Sequence, residues 1–208
     1  TAWDGNREEL HAVLARPPSY DNGQADEGRA FVYYGSASGL SATASWTAES
    51  DQVEAMLGWT ASTAGDVNGD GYSDVIVGAV SYDNGQADEG RAFVYYGSAS
   101  GLSAMANWTV ESDQAYSNFG SSVSTAGDVN GDGYSDVIVG APWYDNGQTD
   151  EGRVFVYYGS ASGLSATPDW TAESNQASVY FGYSVSTAGD VNGDGYSDVI
   201  IGAGWYSN

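Results

Sequence analysis

The sequence has 208 residues and is 41% apolar, which is long enough for one domain with a real core and too apolar for a disordered polyelectrolyte. Five Lys and Arg against 28 Asp and Glu give a formal charge of −23, which leaves no basic face for nucleic acid or an anionic membrane and makes a neutralising cation attractive. The absence of Cys excludes disulfides and thiolate sites, no run is apolar enough for a helical membrane span, and a chain opening on Thr1 without a signal peptide reads as a processed or excised piece.

Residues 1–18 read as a short helical leader. Asn6 suits its cap, Glu8 and Glu9 its first turn, and Leu10, Val13 and Leu14 form one apolar face, with Pro17 and Pro18 as the stop. From Tyr20 onward the chain repeats. "YDNGQ" starts at Tyr20, Tyr82 and Tyr144, "VYYGSASGLSA" at Val32, Val94 and Val156, and "DVNGDGYSDVI" at Asp66, Asp128 and Asp190, in every case 62 residues apart. Residues 66–112 and 128–174 agree at 39 of 47 positions, so the copies must share one local structure.

Each repeat reads as four strands. In the second complete copy the first lies near 121–126, the second at 136–141 as a buried apolar run, the third at 153–158 alternating around Phe155 and Tyr157, and the fourth at 170–173. Gly-, Asn- and Ser-rich segments separate them. Four short strands at this period predict an all-β chain of β-propeller blades with four antiparallel strands each; a β-solenoid has shorter repeats. Residues 19–57 hold strands three and four, 58–118 and 119–180 are whole blades, and 181–208 hold strands one and two. The chain therefore carries about three blades' worth, with complementary half-blades at its ends. Closed propellers use roughly four to eight blades, so either the chain is a fragment or its ends pair with other copies, and the expectation is a homo-oligomer. Half-blades would pair head to tail into a ring or a filament, and two chains would supply six blades.

The segment with chemistry is D-x-N-x-D-G-x-x-D. Side chains of Asp128, Asn130 and Asp132 alternate around one tight loop, Tyr134 can offer its backbone carbonyl, and Asp136 closes the set. Oxygen donors at this spacing suit Ca²⁺, which takes six to eight oxygens in flexible geometry, whereas Mg²⁺ demands a stricter octahedron and Zn²⁺ prefers His or Cys. Gly131 and Gly133 let the loop curl. An Asx-rich turn is the bland alternative; three complete copies weigh against it. An EF-hand needs twelve residues, a Glu at the last and flanking helices, but here "VIVGA" follows at once, so the loop joins two strands.

The blocks at 119–142 and 181–204 resemble the FG-GAP repeat of integrin α-subunits and bacterial surface proteins, with Phe119-Gly120 and Phe181-Gly182 as the FG and Gly140-Ala141-Pro142 as the GAP. The first copy departs, with Leu57-Gly58 and Gly78-Ala79-Val80. The resemblance covers about residues 19–208. It implies a propeller with a calcium loop between the first two strands of each blade. By matching position the ligands extend to Asp66, Asn68, Asp70, Tyr72 and Asp74, and to Asp190, Asn192, Asp194, Tyr196 and Asp198, giving three Ca²⁺ sites. In the leader Ala12 replaces the closing Asp, so no site is expected there.

No catalytic set stands out. His11 is the single His, and the pairs Asp26-Glu27, Asp88-Glu89 and Asp150-Glu151 read as solvated turn acids, ion-paired to Arg29, Arg91 and Arg153. Trp46, Trp108 and Trp170 recur once per repeat and suit either packing between blades or sugar stacking; Trp143 and Trp205 vary at the equivalent Ser81 and suit a surface role. Two functions follow. One is an extracellular adhesion or ligand-binding module for protein or carbohydrate, its loops stiffened by calcium. The other is a self-assembling structural protein. Neither involves nucleic acid, membrane insertion or an enzyme activity.

Overall fold

The computed structural model describes residues 20–205; the expected helical leader lies outside them. Among the described residues, twelve antiparallel strands form four sheets. β1 (Arg29–Val32) pairs with β2 (Trp46–Glu49). β3 (Leu57–Gly65), β4 (Asp74–Ala79), β5 (Arg91–Tyr95) and β6 (Trp108–Glu111) follow one another in one sheet. β7 (Ser122–Gly127), β8 (Asp136–Ala141), β9 (Arg153–Tyr157) and β10 (Trp170–Glu173) repeat that order. β11 (Phe181–Gly189) pairs with β12 (Asp198–Ala203). These are propeller blades, two whole and two half, and no helix occurs among the described residues. The second and fourth strands of the repeat match the sequence expectation residue for residue; the first of the first whole sheet begins at Leu57, and those at β7 and β9 end within a residue of theirs.

Strand periodicity explains why the second strand is apolar after its first residue. Side chains alternate between faces, and each whole blade is covered on both. In β4, Val75, Val77 and Ala79 pack with Ala30 and Leu57 towards the first half-blade. Ile76, from the opposite face, joins Phe119, Val137 and Val139 of the next blade. In β8 the same alternation sends Ile138 towards Val185, Val199 and Ile201 of the last half-blade. The core is therefore three layers between blades, with β3, β7 and β11 stacked in succession.

Two of the recurrent tryptophans belong to those layers. Trp46 and Trp108 donate their indole N–H to the carbonyls of Ser103 and Ser165, one blade on, each at 2.9 Å. Their rings meet Tyr95 and Tyr157 of that blade edge to face, at 4.7 and 5.0 Å. The packing reading holds for these two.

Candidate metal centre

The loop between β3 and β4 is wound by its own acids. Asp66 accepts the N–H groups of Gly69 and Asp70 on Oδ1, at 2.7 and 3.1 Å, and that of Gly71 on Oδ2, at 2.8 Å. Asn68 Oδ1 accepts Asp70 N–H at 3.0 Å, and Asp70 Oδ1 accepts Tyr72 N–H at 2.9 Å. Gly69 and Gly71 sit at φ 73° and 90°, the left-handed region that a side chain would resist. Asp74, the first residue of β4, is buried. Its Oδ2 accepts Val67 N–H at 2.9 Å and its Oδ1 accepts Gly97 N–H at 2.8 Å, fastening the loop to the segment after β5.

The second loop repeats this. Asp128 takes Gly131, Asp132 and Gly133 at 2.7, 3.1 and 2.9 Å, Asn130 takes Asp132, and Asp132 takes Tyr134. Buried Asp136 takes Val129 and Gly159 at 2.8 and 2.9 Å. In the third loop Asp190, Asn192, Asp194 and Tyr196 follow the same pattern, and Asp198 Oδ2 accepts Val191 N–H at 2.8 Å.

Burial is the main reason the carboxyls of Asp74 and Asp136 are pushed up to about 6. Two backbone N–H groups pull each down in part, and the neighbouring acids Asp70 and Asp66, or Asp132 and Asp128, push it up. On the exposed Asp190 the hydrogen bond from Gly195 N–H, with others from the loop, holds the carboxyl below the usual range. Each loop thus gathers three carboxylates and an amide oxygen with no Lys, Arg or His between its first and ninth residues. That donor set fits a hard divalent cation such as Ca²⁺.

The loops also touch one another, which their sequence did not reveal. Ser135 N–H reaches the Asp66 carbonyl at 3.0 Å, and Ser197 N–H reaches that of Asp128 at 2.9 Å. The ring of Tyr134 lies over Gly69, where a Cβ would fall 2.5 Å from it, and Tyr196 lies likewise over Gly131. The loops form a row along the blades.

The turn acids need a correction. Glu27, Glu89 and Glu151 are buried, not solvated. One oxygen of each accepts the N–H of Asn22, Asn84 or Asn146 at 2.6 Å, and Oε2 has no hydrogen-bond partner. Arg29, Arg91 and Arg153 pair instead with Glu49, Glu111 and Glu173 on the fourth strand, at 3.8, 3.5 and 3.8 Å. Glu89, Glu111 and Asp113 bring one oxygen each within 4.8 Å of the others. Burial first, then the charges of Glu111 and Asp113, push the Glu89 carboxyl up.

Compared with known families, the chain matches the FG-GAP repeat at residues 58–95, 119–157 and 181–208, more than half its length. The chain belongs to the FG-GAP repeat family. Similar proteins include mouse integrin alpha-IIb, 36% identical over 66% of this chain, and chicken integrin alpha-V, 34% identical over 74%. Rat phosphatidylinositol-glycan-specific phospholipase D is 38% identical over 71%. The chain spans 14%, 15% and 18% of those three relatives.

The structure gives the FG-GAP hallmarks a physical role. Phe119 and Phe181 donate their N–H to the carbonyls of Glu89 and Glu151 on the preceding blade, at 3.0 and 3.1 Å. Phe119 itself fills the layer between blades, against Phe155. The Gly of GAP meets the Gly of the following FG: a Cβ on Gly78 would stand 2.0 Å from the Gly120 carbonyl oxygen, and one on Gly140 2.1 Å from that of Gly182. The motif is the pair of surfaces by which one FG-GAP blade rests on the next.

Proposed function

We propose that this FG-GAP chain is a calcium-binding β-propeller module acting in extracellular or cell-surface adhesion or ligand recognition, and not an enzyme. The observation that carries the calcium reading is the gathering of three carboxylates and one amide oxygen in each loop, with Asp74 and Asp136 buried and no basic residue between the first and ninth positions to offset the mutual repulsion of those acids. A divalent cation relieves that repulsion. Asp66, Asn68, Asp70 and Asp74 would hold the first ion with the Tyr72 carbonyl. Asp128, Asn130, Asp132, Asp136 and Tyr134 would hold the second, and Asp190, Asn192, Asp194, Asp198 and Tyr196 the third. Because the loops bond to one another, ions there would stiffen a whole edge of the propeller.

The integrin relatives support the adhesive reading. The phospholipase relative is matched over 18% of its length, so its named activity does not transfer. Trp143, Tyr180 and Trp205 form an edge-to-face chain, with centroids 5.8 and 5.1 Å apart, and Trp205 is 64% exposed. Such aromatic faces suit carbohydrate or protein ligands.

Calorimetric titration of the metal-stripped chain with CaCl₂ tests the first part. The expected result is three ions per chain with a raised Tm, and Asp128→Ala with Asp132→Ala should remove one ion. No heat and no change in Tm at millimolar calcium would overturn it. Retention on immobilised glycans and matrix proteins tests the second. Binding lost with chelator and with Trp205→Ala supports recognition; no retention on any surface refutes it.

A further inference from the structure

Six Asn-Gly pairs recur along the chain, and folding places them in two different environments. In such a pair the backbone nitrogen of the glycine can attack the asparagine side chain and close a five-membered imide, because glycine has no Cβ to hinder the approach. Whether the reaction runs in a folded chain depends on whether that nitrogen is free.

In the acidic loops it is not. The N–H groups of Gly69, Gly131 and Gly193 donate to Asp66, Asp128 and Asp190 Oδ1, each at 2.7 Å. The asparagine amides are tied as well. Asn68 Oδ1 accepts Asp70 N–H at 3.0 Å while its Nδ2 donates to Asp70 Oδ2 at 3.2 Å, and Asn130 is held to Asp132 in the same way at 2.9 Å.

The "YDNGQ" segments, which precede the third strand of each unit, differ. Asn22, Asn84 and Asn146 are exposed with their glycines. The N–H of Gly23, Gly85 and Gly147 has no acceptor among the described residues, and a Cβ on any of these glycines would meet nothing within 4 Å. The asparagine side chain is held at the nitrogen that would leave. Asn84 Nδ2 donates to Glu111 Oε1 at 2.7 Å, and Asn22 and Asn146 reach Glu49 and Glu173 at 2.9 Å.

We propose that Asn22, Asn84 and Asn146 are sites of spontaneous deamidation, that the Asn-Gly pairs of the acidic loops are shielded from it, and that the conversion releases the loop from the fourth strand. At Asn84 the Gly85 nitrogen gives up its proton and bonds to Cγ, the Cγ–Nδ2 bond breaks, and ammonia leaves. Water then opens either C–N bond of the imide. One opening yields aspartate; the other yields isoaspartate, with the main chain rerouted through the side chain. Nothing is oxidised or reduced, and water is the single co-reactant. Both products put a carboxylate where Glu111 accepted an N–H. A tie between the β4–β5 connection and β6 becomes a repulsion between acids, with Arg91, 3.5 Å from Glu111, to offset it.

The chain supplies its own control. Trypsin cuts after Arg29, Arg91 and Arg153, which leaves Asn68 with Asn84 in one fragment and Asn130 with Asn146 in the next. The full chain, held folded in mildly alkaline buffer with chelator, would be digested at intervals and read by mass spectrometry with electron-transfer fragmentation, which separates aspartate from isoaspartate. Asn84 and Asn146 should convert about tenfold or more faster than Asn68 and Asn130, because a hydrogen bond to a charged acceptor must first open in the shielded loops. In denaturant the two rates should converge. The shielding bonds are the chain's own, so this result is independent of the calcium reading. Equal rates in the folded chain, or an intact Asn84 over the time in which the denatured chain converts, would overturn the assignment. Asn84→Asp reproduces one product. It should lower Tm at neutral pH, by less as acid protonates the facing carboxyls; melting with the parent at every pH would overturn the release of the loop.

Discussion

Gly140→Ala isolates the contact on which the blades rest. The added methyl would lie 2.1 Å from the Gly182 carbonyl oxygen, whereas real Cβ atoms essentially never approach closer than 3.0 Å. The obstacle is backbone, so β11 must retreat by about 1 Å from β8 or the strand must twist. Gly140 does not occupy the left-handed region, so conformational strain is not a competing cause. The methyl also presses on Ser122 Oγ at 2.4 Å, the group that donates to the Gly182 carbonyl at 2.7 Å. Overpacking costs about 1–3 kcal/mol and a lost hydrogen bond about 1 kcal/mol. A total near ~3 kcal/mol lowers Tm by roughly 6–12 °C in a domain of this size. Thermal unfolding followed by circular dichroism is the assay. Gly204→Ala, with nothing within 4 Å of its Cβ, is the control and should melt with the parent. If Gly140→Ala melted within about 2 °C of it, the Gly-to-Gly approach would not be what sets blade spacing.

Asp74 and Asp136 have folded values near 6 against an ordinary 3.8. Their contribution to the stability of the metal-stripped chain should therefore be fully present below pH 3.8 and fade as pH rises through about 6, because the folded state holds the proton more tightly. Denaturant curves across that range should show the fall, and Asp74→Asn with Asp136→Asn should remove this component; an unchanged slope would contradict the assignment. Trp108→Phe loses the bond to the Ser165 carbonyl and should cost about 1 kcal/mol, a Tm decrease of roughly 2–4 °C. Glu89→Gln keeps an acceptor for Asn84 N–H and removes a buried charge facing Glu111 and Asp113. It should raise Tm at pH 7, with the gain vanishing in acid; a large decrease would show that the carboxylate is required.

Much of this protein is legible before folding because the repeat fixes local structure three times over. The second strand reads as doubly covered because five apolar or small residues follow one acid, and β4 and β8 are buried along their full length. The acidic residues of the loops are equally plain, since Asp and Asn at alternate positions between glycines wind one turn by local hydrogen bonds. What the sequence misread depends on neighbours. Glu89 looks like half of a solvated pair beside Arg91, but the chain turns it inward onto Asn84, and Arg91 faces Glu111 across the β5–β6 ladder. Trp108 could have stacked on a sugar until the next blade brought the Ser165 carbonyl to its indole.

The sequence by itself determined the unit: four strands, an acidic loop between the first two, and the residues that wind it, all set by contacts within one repeat. Only the tertiary structure decided what each copy of the unit does. Ile138 and Ile200 occupy the same place in the same local pattern, yet one is core and the other lies open to water. The difference is the blade that packs beside the first and not, among the described residues, beside the second, because burial is a property of what covers a surface and not of the residues that form it.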